Sequence, residues 1–154
     1  MIKRLSVTFL LALLLSSCDS ERVFEGDIDF ENGVWQMDSK PIFEFDIEDG
    51  SPKNLVIKLR NDLNFKFQNC YVNFKLFNSQ GEILESGLVN LQLFDKKTGK
   101  PMGKGNSVYQ FKQNILSEYR FNIPGQYKVE FTQYMRTSEL GGTYSVGLRI
   151  ENVE

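Results

Sequence analysis

Gln126-Tyr127-Lys128-Val129-Glu130-Phe131-Thr132-Gln133-Tyr134-Met135-Arg136 is the stretch on which the fold turns. Tyr127, Val129, Phe131, Gln133 and Met135 fall on one side of it, and Gln126, Lys128, Glu130, Thr132 and Arg136 on the other. A period of two marks a strand with one dry and one wet face, because successive side chains leave an extended backbone in opposite directions. Pro124-Gly125 just ahead supplies the turn that starts it.

The same alternation recurs on both sides of this segment. Toward the N-terminus, Phe43, Phe45 and Ile47 alternate with Glu44 and Asp46, and Leu55, Ile57 and Leu59 alternate with Lys58 and Arg60 across the turn Glu48-Asp49-Gly50-Ser51-Pro52. Cys70, Val72, Phe74 and Leu76 share one face opposite Tyr71, Asn73, Lys75 and Phe77, and Val89, Leu91 and Leu93 form a further inward row. A short strand is expected around 108–111 and another with Tyr119, Phe121 and Ile123 inward, with a short helical turn over 113–118 between them. Toward the C-terminus, Tyr144, Val146, Leu148 and Ile150 oppose Ser145, Arg149 and Glu151. Some eight strands with turns between them and no sustained helical period predict an all-β chain. The expected fold is a single antiparallel β-sandwich over 32–154, with a jelly-roll-like arrangement among its candidate topologies. Its 13 Phe and 6 Tyr against 4 Pro fit that reading.

Ahead of the domain stand Lys3 and Arg4, an apolar run from Leu5 to Leu15, and then Ser16-Ser17-Cys18. A positive start, a short apolar core and two small residues before cysteine make a lipobox, so 1–17 reads as a cleaved signal and Cys18 as the lipidated N-terminus. The apolar run falls short of the roughly 20 residues a spanning helix needs. Each buried acyl CH₂ contributes about 0.8 kcal/mol, so lipid chains on Cys18 would anchor the chain without a spanning helix. The acidic, weakly patterned stretch 18–31 reads as the lipidated end and its tether. Cleavage would take Lys3 and Arg4 from the 18 basic residues and none of the 20 acidic ones, leaving a net charge of −4 that argues against a nucleic-acid partner.

Catalytic chemistry is hard to assemble from these residues. The chain has no histidine, which removes the commonest general base and the usual Ser-His and Cys-His pairs. With Cys18 lipidated, Cys70 has no disulfide partner. It shares a face with Val72 and Phe74, which makes it a core residue in preference to a nucleophile. The acidic groups Asp27, Asp29, Glu31 and Asp46, Glu48, Asp49 lack the spacing of a calcium loop and read as solvated faces. Gly99-Lys100-Pro101-Met102-Gly103-Lys104-Gly105 does not run into a helix as a phosphate loop must, and reads as a connection between strands. No cofactor or metal is expected. Trp35, Tyr71, Phe77, Phe94 and Tyr134 fit two roles, covering both faces of central strands or forming an exposed platform for a protein or a sugar.

Several motifs in order resemble the gliding motility lipoprotein GldH family of the Bacteroidota. They are the lipobox at Cys18, Trp35 ahead of Phe43-Glu44-Phe45, Leu59-Arg60-Asn61, and Phe65-Lys66-Phe67-Gln68-Asn69 where the family usually has Tyr-Pro-Tyr-Ser-Asn. Then come the glycine loop at 99–105, where Pro101 or Met102 stands in place of the family's tryptophan, and Pro124-Gly125-Gln126-Tyr127. Gln133-Tyr134-Met135-Arg136, Leu140-Gly141-Gly142 and Val146-Gly147-Leu148-Arg149-Ile150-Glu151 complete the series. The resemblance implies an envelope lipoprotein needed for gliding and linked to type IX secretion, and implies no catalytic residue. The expectation is a non-enzymatic scaffold that stabilises other envelope lipoproteins, lipid-anchored at the outer membrane, with no nucleic-acid partner. A carbohydrate- or peptidoglycan-binding sandwich is the alternative. Arg60, Asn69, Arg136 and Arg149, polar residues inside the matching motifs, are the candidate partner contacts; sheet-surface ion pairs are their competing role.

Overall fold

The computed structural model describes residues 19–153, so the signal segment and Cys18 lie outside the described residues. Eleven strands follow in chain order among them: β1 (Arg22–Asp29), β2 (Val34–Gln36), β3 (Ile42–Ile47), β4 (Lys53–Asn61), β5 (Asn69–Phe77), β6 (Ile83–Gln92), β7 (Lys104–Gly105), β8 (Tyr109–Tyr119), β9 (Gly125–Gln133), β10 (Glu139–Gly141) and β11 (Thr143–Asn152). They form a five-stranded sheet in the order β1-β11-β4-β8-β7, a four-stranded sheet in the order β3-β9-β5-β6, and a small β10-β2 pair. Setting aside the short β2, β7 and β10, the first long strand pairs with the last, β1 with β11. The second pairs with the second to last, β3 with β9, and the third with the third to last, β4 with β8, while β5 and β6 close as a hairpin. The chain is thus one long hairpin whose paired arms alternate between two sheets, which is the jelly-roll form of the antiparallel sandwich.

The alternation read from the sequence decides what lies between the sheets. Leu55, Ile57, Leu59, Val146, Leu148 and Ile150 face inward from one sheet, and Phe43, Phe45, Val72, Leu76, Val129 and Phe131 from the other; all are buried. Ring contacts tie the layers together. Phe24 of β1 meets Phe45 of β3 at 5.7 Å between centroids, and Phe121 meets Tyr127 at 4.6 Å. Trp35 is fully buried, opposite Leu140 in the β2·β10 pair. It stacks on Phe30 at 4.9 Å and donates its indole N–H to the Ser39 carbonyl, so this small pair plugs one end of the sandwich.

Three expectations are corrected. Residues 22–29, expected within the tether, form strand β1, because Phe24 and Ile28 pack against the core and the β11 edge accepts a partner; the domain therefore begins before residue 32. The helical turn expected over 113–118 is strand: β8 runs unbroken through it. Its neighbours Ile115 and Leu116 both reach the core, which a period of two forbids; the register against β4 shifts there, Leu116 facing Leu55 and Asn114 facing Val56, so that Ile115 is the extra residue of a bulge. The separate strand expected with Tyr119, Phe121 and Ile123 inward is the end of β8 and a bend: Phe121 is buried, but Ile123 is 70% exposed.

Candidate functional site

The structure distributes the four candidate contact residues over two surfaces. Arg60 stands exposed on the outer face of β4, across from Ser145 and Gln110. Arg149 lies on the same sheet, but its guanidinium is spent on carboxylates: Nη2 donates to Asp19 at 2.8 Å, Nη1 to Glu25 at 3.0 Å and Nε to Glu151 at 2.7 Å. Beside it Lys58, its side chain only 3% exposed, reaches Glu25 at 2.7 Å and Asp27 at 2.8 Å. Hydrogen bonding to Lys58 and the charges of Lys58 and Arg149 hold the Glu25 carboxyl down at about 2. Gly147 leaves the room this cluster needs, since a Cβ there would lie 2.2 Å from an Asp27 oxygen. The cluster fastens β1 to β11 and β4. Its signal in the sequence, Glu25 and Asp27 on one strand face with Lys58, Gly147 and Arg149 far along the chain, becomes legible only once the register is known.

Asn69 and Arg136 come together at one end of the outer face of the four-stranded sheet, where they line a groove of about 850 Å³. Gln133, on the inward face as expected, builds this place. Its amide nitrogen donates to the Thr137 carbonyl at 2.9 Å and its amide oxygen accepts from the Met135 N–H at 2.8 Å. Those bonds hold the bend that carries Tyr134, Met135 and Arg136 off the end of β9. Tyr71 faces it from β5: its carbonyl accepts from the Tyr134 N–H at 2.8 Å, whereas its own N–H donates to the Met135 sulfur, at 3.3 Å. Asn69 donates its side-chain amide to Asn90 at 2.8 Å. The remaining walls come from Met37, Phe67 and Leu88, which sequence reasoning did not assign to a site because three separate segments supply them. Tyr134 is 65%, Leu88 52% and Phe67 43% exposed. Arg136 is the single charge in the lining, and it makes no ion pair or side-chain hydrogen bond among the described residues. Of the aromatics left open by the sequence, Trp35 and Phe94 are core and Tyr71 and Tyr134 are surface.

Cys70 is fully buried, and burial pushes its thiol up to about 12. Among the described residues no three His, Cys, Asp or Glu side chains gather closely enough to hold a metal. No helix there is long and apolar enough to cross a membrane. The loop at 95–106 folds back on itself: the Asp95 carboxylate accepts from the Lys97 and Thr98 N–H groups, and β7 adds to the edge of β8.

The fold and the groove define the class: a jelly-roll sandwich with an apolar, singly charged groove at one end of its four-stranded sheet. The profile of the GldH lipoprotein family matches residues 22–150, and the chain belongs to that family. It is 30% identical over 162 residues to the gliding motility lipoprotein GldH of Flavobacterium johnsoniae, covering 97% of each chain. It is also 30% identical over 155 residues to a gliding motility lipoprotein GldH homolog of Christiangramia forsetii, covering 90% of this chain and 89% of that one. Among solved structures it is similar to a 4-O-methyl-alpha-glucuronidase at a TM-score of 0.46 and 8% identity, over 90% of this chain and 18% of that one. Similarity to the infectious bursal disease virus VP2 subviral particle reaches a TM-score of 0.41 and 14% identity, over 88% of this chain and 34% of that one.

Proposed function

We propose that this chain is a lipid-anchored protein of the cell envelope, held at the outer membrane through Cys18, that serves gliding motility and the associated type IX secretion. It acts there as a non-enzymatic scaffold that stabilises partner lipoproteins. The observation that carries the reading is the similarity along 97% of the chain to the gliding motility lipoprotein of Flavobacterium johnsoniae. The lipobox at Cys18 supports the anchor. The lack of histidine and the buried, un-ionised Cys70 thiol support a binding role over a catalytic one. Confinement to a membrane raises the concentration of the domain against partners confined to the same surface, so weak contacts suffice for a stable assembly. Arg60, Asn69 and Arg136 are the contacts proposed for such partners, whereas Arg149 is taken up in holding β1.

The test is a deletion strain of the source organism, complemented with the wild-type gene or with Cys18→Ala and scored for colony spreading, secretion of large adhesins and abundance of other envelope lipoproteins. Deletion is expected to abolish spreading and secretion and to deplete partner lipoproteins, and Cys18→Ala to leave an unprocessed precursor that does not restore them. Normal spreading in the deletion strain would overturn the motility role. Loss of spreading with undiminished secretion and partner abundance would overturn the scaffold role.

A further inference from the structure

We propose that the groove of the four-stranded sheet takes an extended segment of a partner protein in which an acidic residue neighbours apolar side chains. The inference rests on the scaffold reading and names the chemistry of what the scaffold holds. Three observations converge on this occupant. The groove exposes Met37, Phe67, Leu88 and Tyr134 to water, and covering such a surface is favourable in proportion to the apolar area removed. Met37, Phe67, Leu88 and Met135 give the groove apolar walls that match apolar side chains. Arg136 brings a guanidinium with no side-chain partner among the described residues into a lining that contains no carboxylate, in a chain whose acidic residues outnumber its basic ones. The missing complement is a carboxylate, which a guanidinium binds through short, charge-assisted hydrogen bonds.

The third observation concerns the backbone. The Tyr71 N–H, on a residue that lines the groove, donates to the Met135 sulfur at 3.3 Å. A thioether is a weak acceptor on a flexible stem, so a carbonyl oxygen of the occupant can displace it and satisfy the donor fully. Helices spend their carbonyls internally except in the last turn. An extended segment offers them along its whole length, and for that reason the occupant is extended.

The experiment uses the full-length chain in detergent micelles as bait for a displayed library of random decapeptides, with synthetic peptides of the enriched sequences titrated afterwards. Enrichment of peptides that carry Asp or Glu within an apolar run is expected. Arg136→Glu should weaken them about tenfold or more and shift the preference to the same peptides with Lys in place of the acid. Leu88→Asp should weaken both series, while Lys104→Glu on β7 leaves them unchanged. All three positions are exposed, so thermal melting should stay at the wild-type temperature and certify the fold. The proposal is overturned if no acidic-apolar sequence is enriched, if Arg136→Glu leaves affinity unchanged, or if oligogalacturonate or peptidoglycan fragments occupy the groove in place of peptide. None of these outcomes depends on motility, so failure here is separate from failure of the deletion experiment.

Discussion

Lys58 stands at a position where alternation assigns a solvent-facing side chain, and it does point away from the core, yet that side chain is 3% exposed because Glu25 and Asp27 of β1 close over it. Taking one member from a buried ion pair costs about 3 to 5 kcal/mol, since the other is left uncompensated. Here Asp27 keeps 41% of its side chain in water, so Lys58→Met is expected to lose about 3 kcal/mol, the low end of that range, at pH 7. The pH dependence follows from Glu25, held at about 2 in the folded chain. Its folded value lies below the ordinary one, so its stabilising share is complete above the ordinary carboxylate value of about 4.3 and is lost as pH falls from there toward 2. Urea unfolding at pH 7, 4 and 3 should show a steeper acid loss in the wild type than in Lys58→Met; parallel curves would refute the coupling. The alternation of 55–60 predicted which way Lys58 points, but not that β1 would cover it.

At the scale of elements, β1 shows where hydrophobic periodicity is too weak to reveal a strand. Its side chains are at most half-buried, because an edge strand has one neighbour in the sheet and covers only the rim of the core. Arg22-Val23-Phe24-Glu25-Gly26-Asp27-Ile28-Asp29 therefore carries few apolar residues, and it resembles a tether until the unpaired edge of β11 is in view. What fixes it is the Phe24 contact with Phe45 and the ion cluster on the opposite face. Phe24→Ala is expected to destabilise the domain by about 2 kcal/mol, less than the 3 to 5 of a fully buried phenylalanine. A change below about 0.5 kcal/mol in urea unfolding, the range of an ordinary surface substitution, would show that β1 is not part of the cooperative fold. The β8 bulge has a similar origin. Adjacent apolar Ile115 and Leu116 break a strand period, and sequence alone does not say whether a helical turn or an added residue in a strand accommodates them.

For the whole molecule, the jelly roll sets two surfaces at opposite ends. Asp19, one residue after the lipobox cysteine, is bound to Arg149 beside the start of β1. The groove lies at the far end of the strands, where Gln133 faces Val72 and Asn69 faces Gln92. An eight-residue strand rises about 25 Å, so a lipid on Cys18 would hold the domain close to the bilayer with the groove facing away from it. With the lipidated chain on vesicles containing a spin-labelled lipid, NMR signals of Arg22 and Asn152 are expected to broaden and those of Tyr134 and Leu88 to persist; broadening at the groove would reverse this orientation. The local alternation of apolar and polar residues determined that the chain is strand-built, which faces of β3, β4, β5, β9 and, from Val146 onward, β11 turn inward, and that Cys70 is core, because those outcomes depend on nearest neighbours along the chain; Tyr144, expected inward, is 38% exposed where the β11 register shifts. Only the tertiary structure decided that 22–29 is a strand, that Lys58 and Arg149 hold it in place, and that Asn69 and Arg136 share a groove while Arg60 and Arg149 lie on the opposite sheet. Those outcomes depend on pairings between residues far apart in the chain, and the register that creates them is set by packing of the whole core.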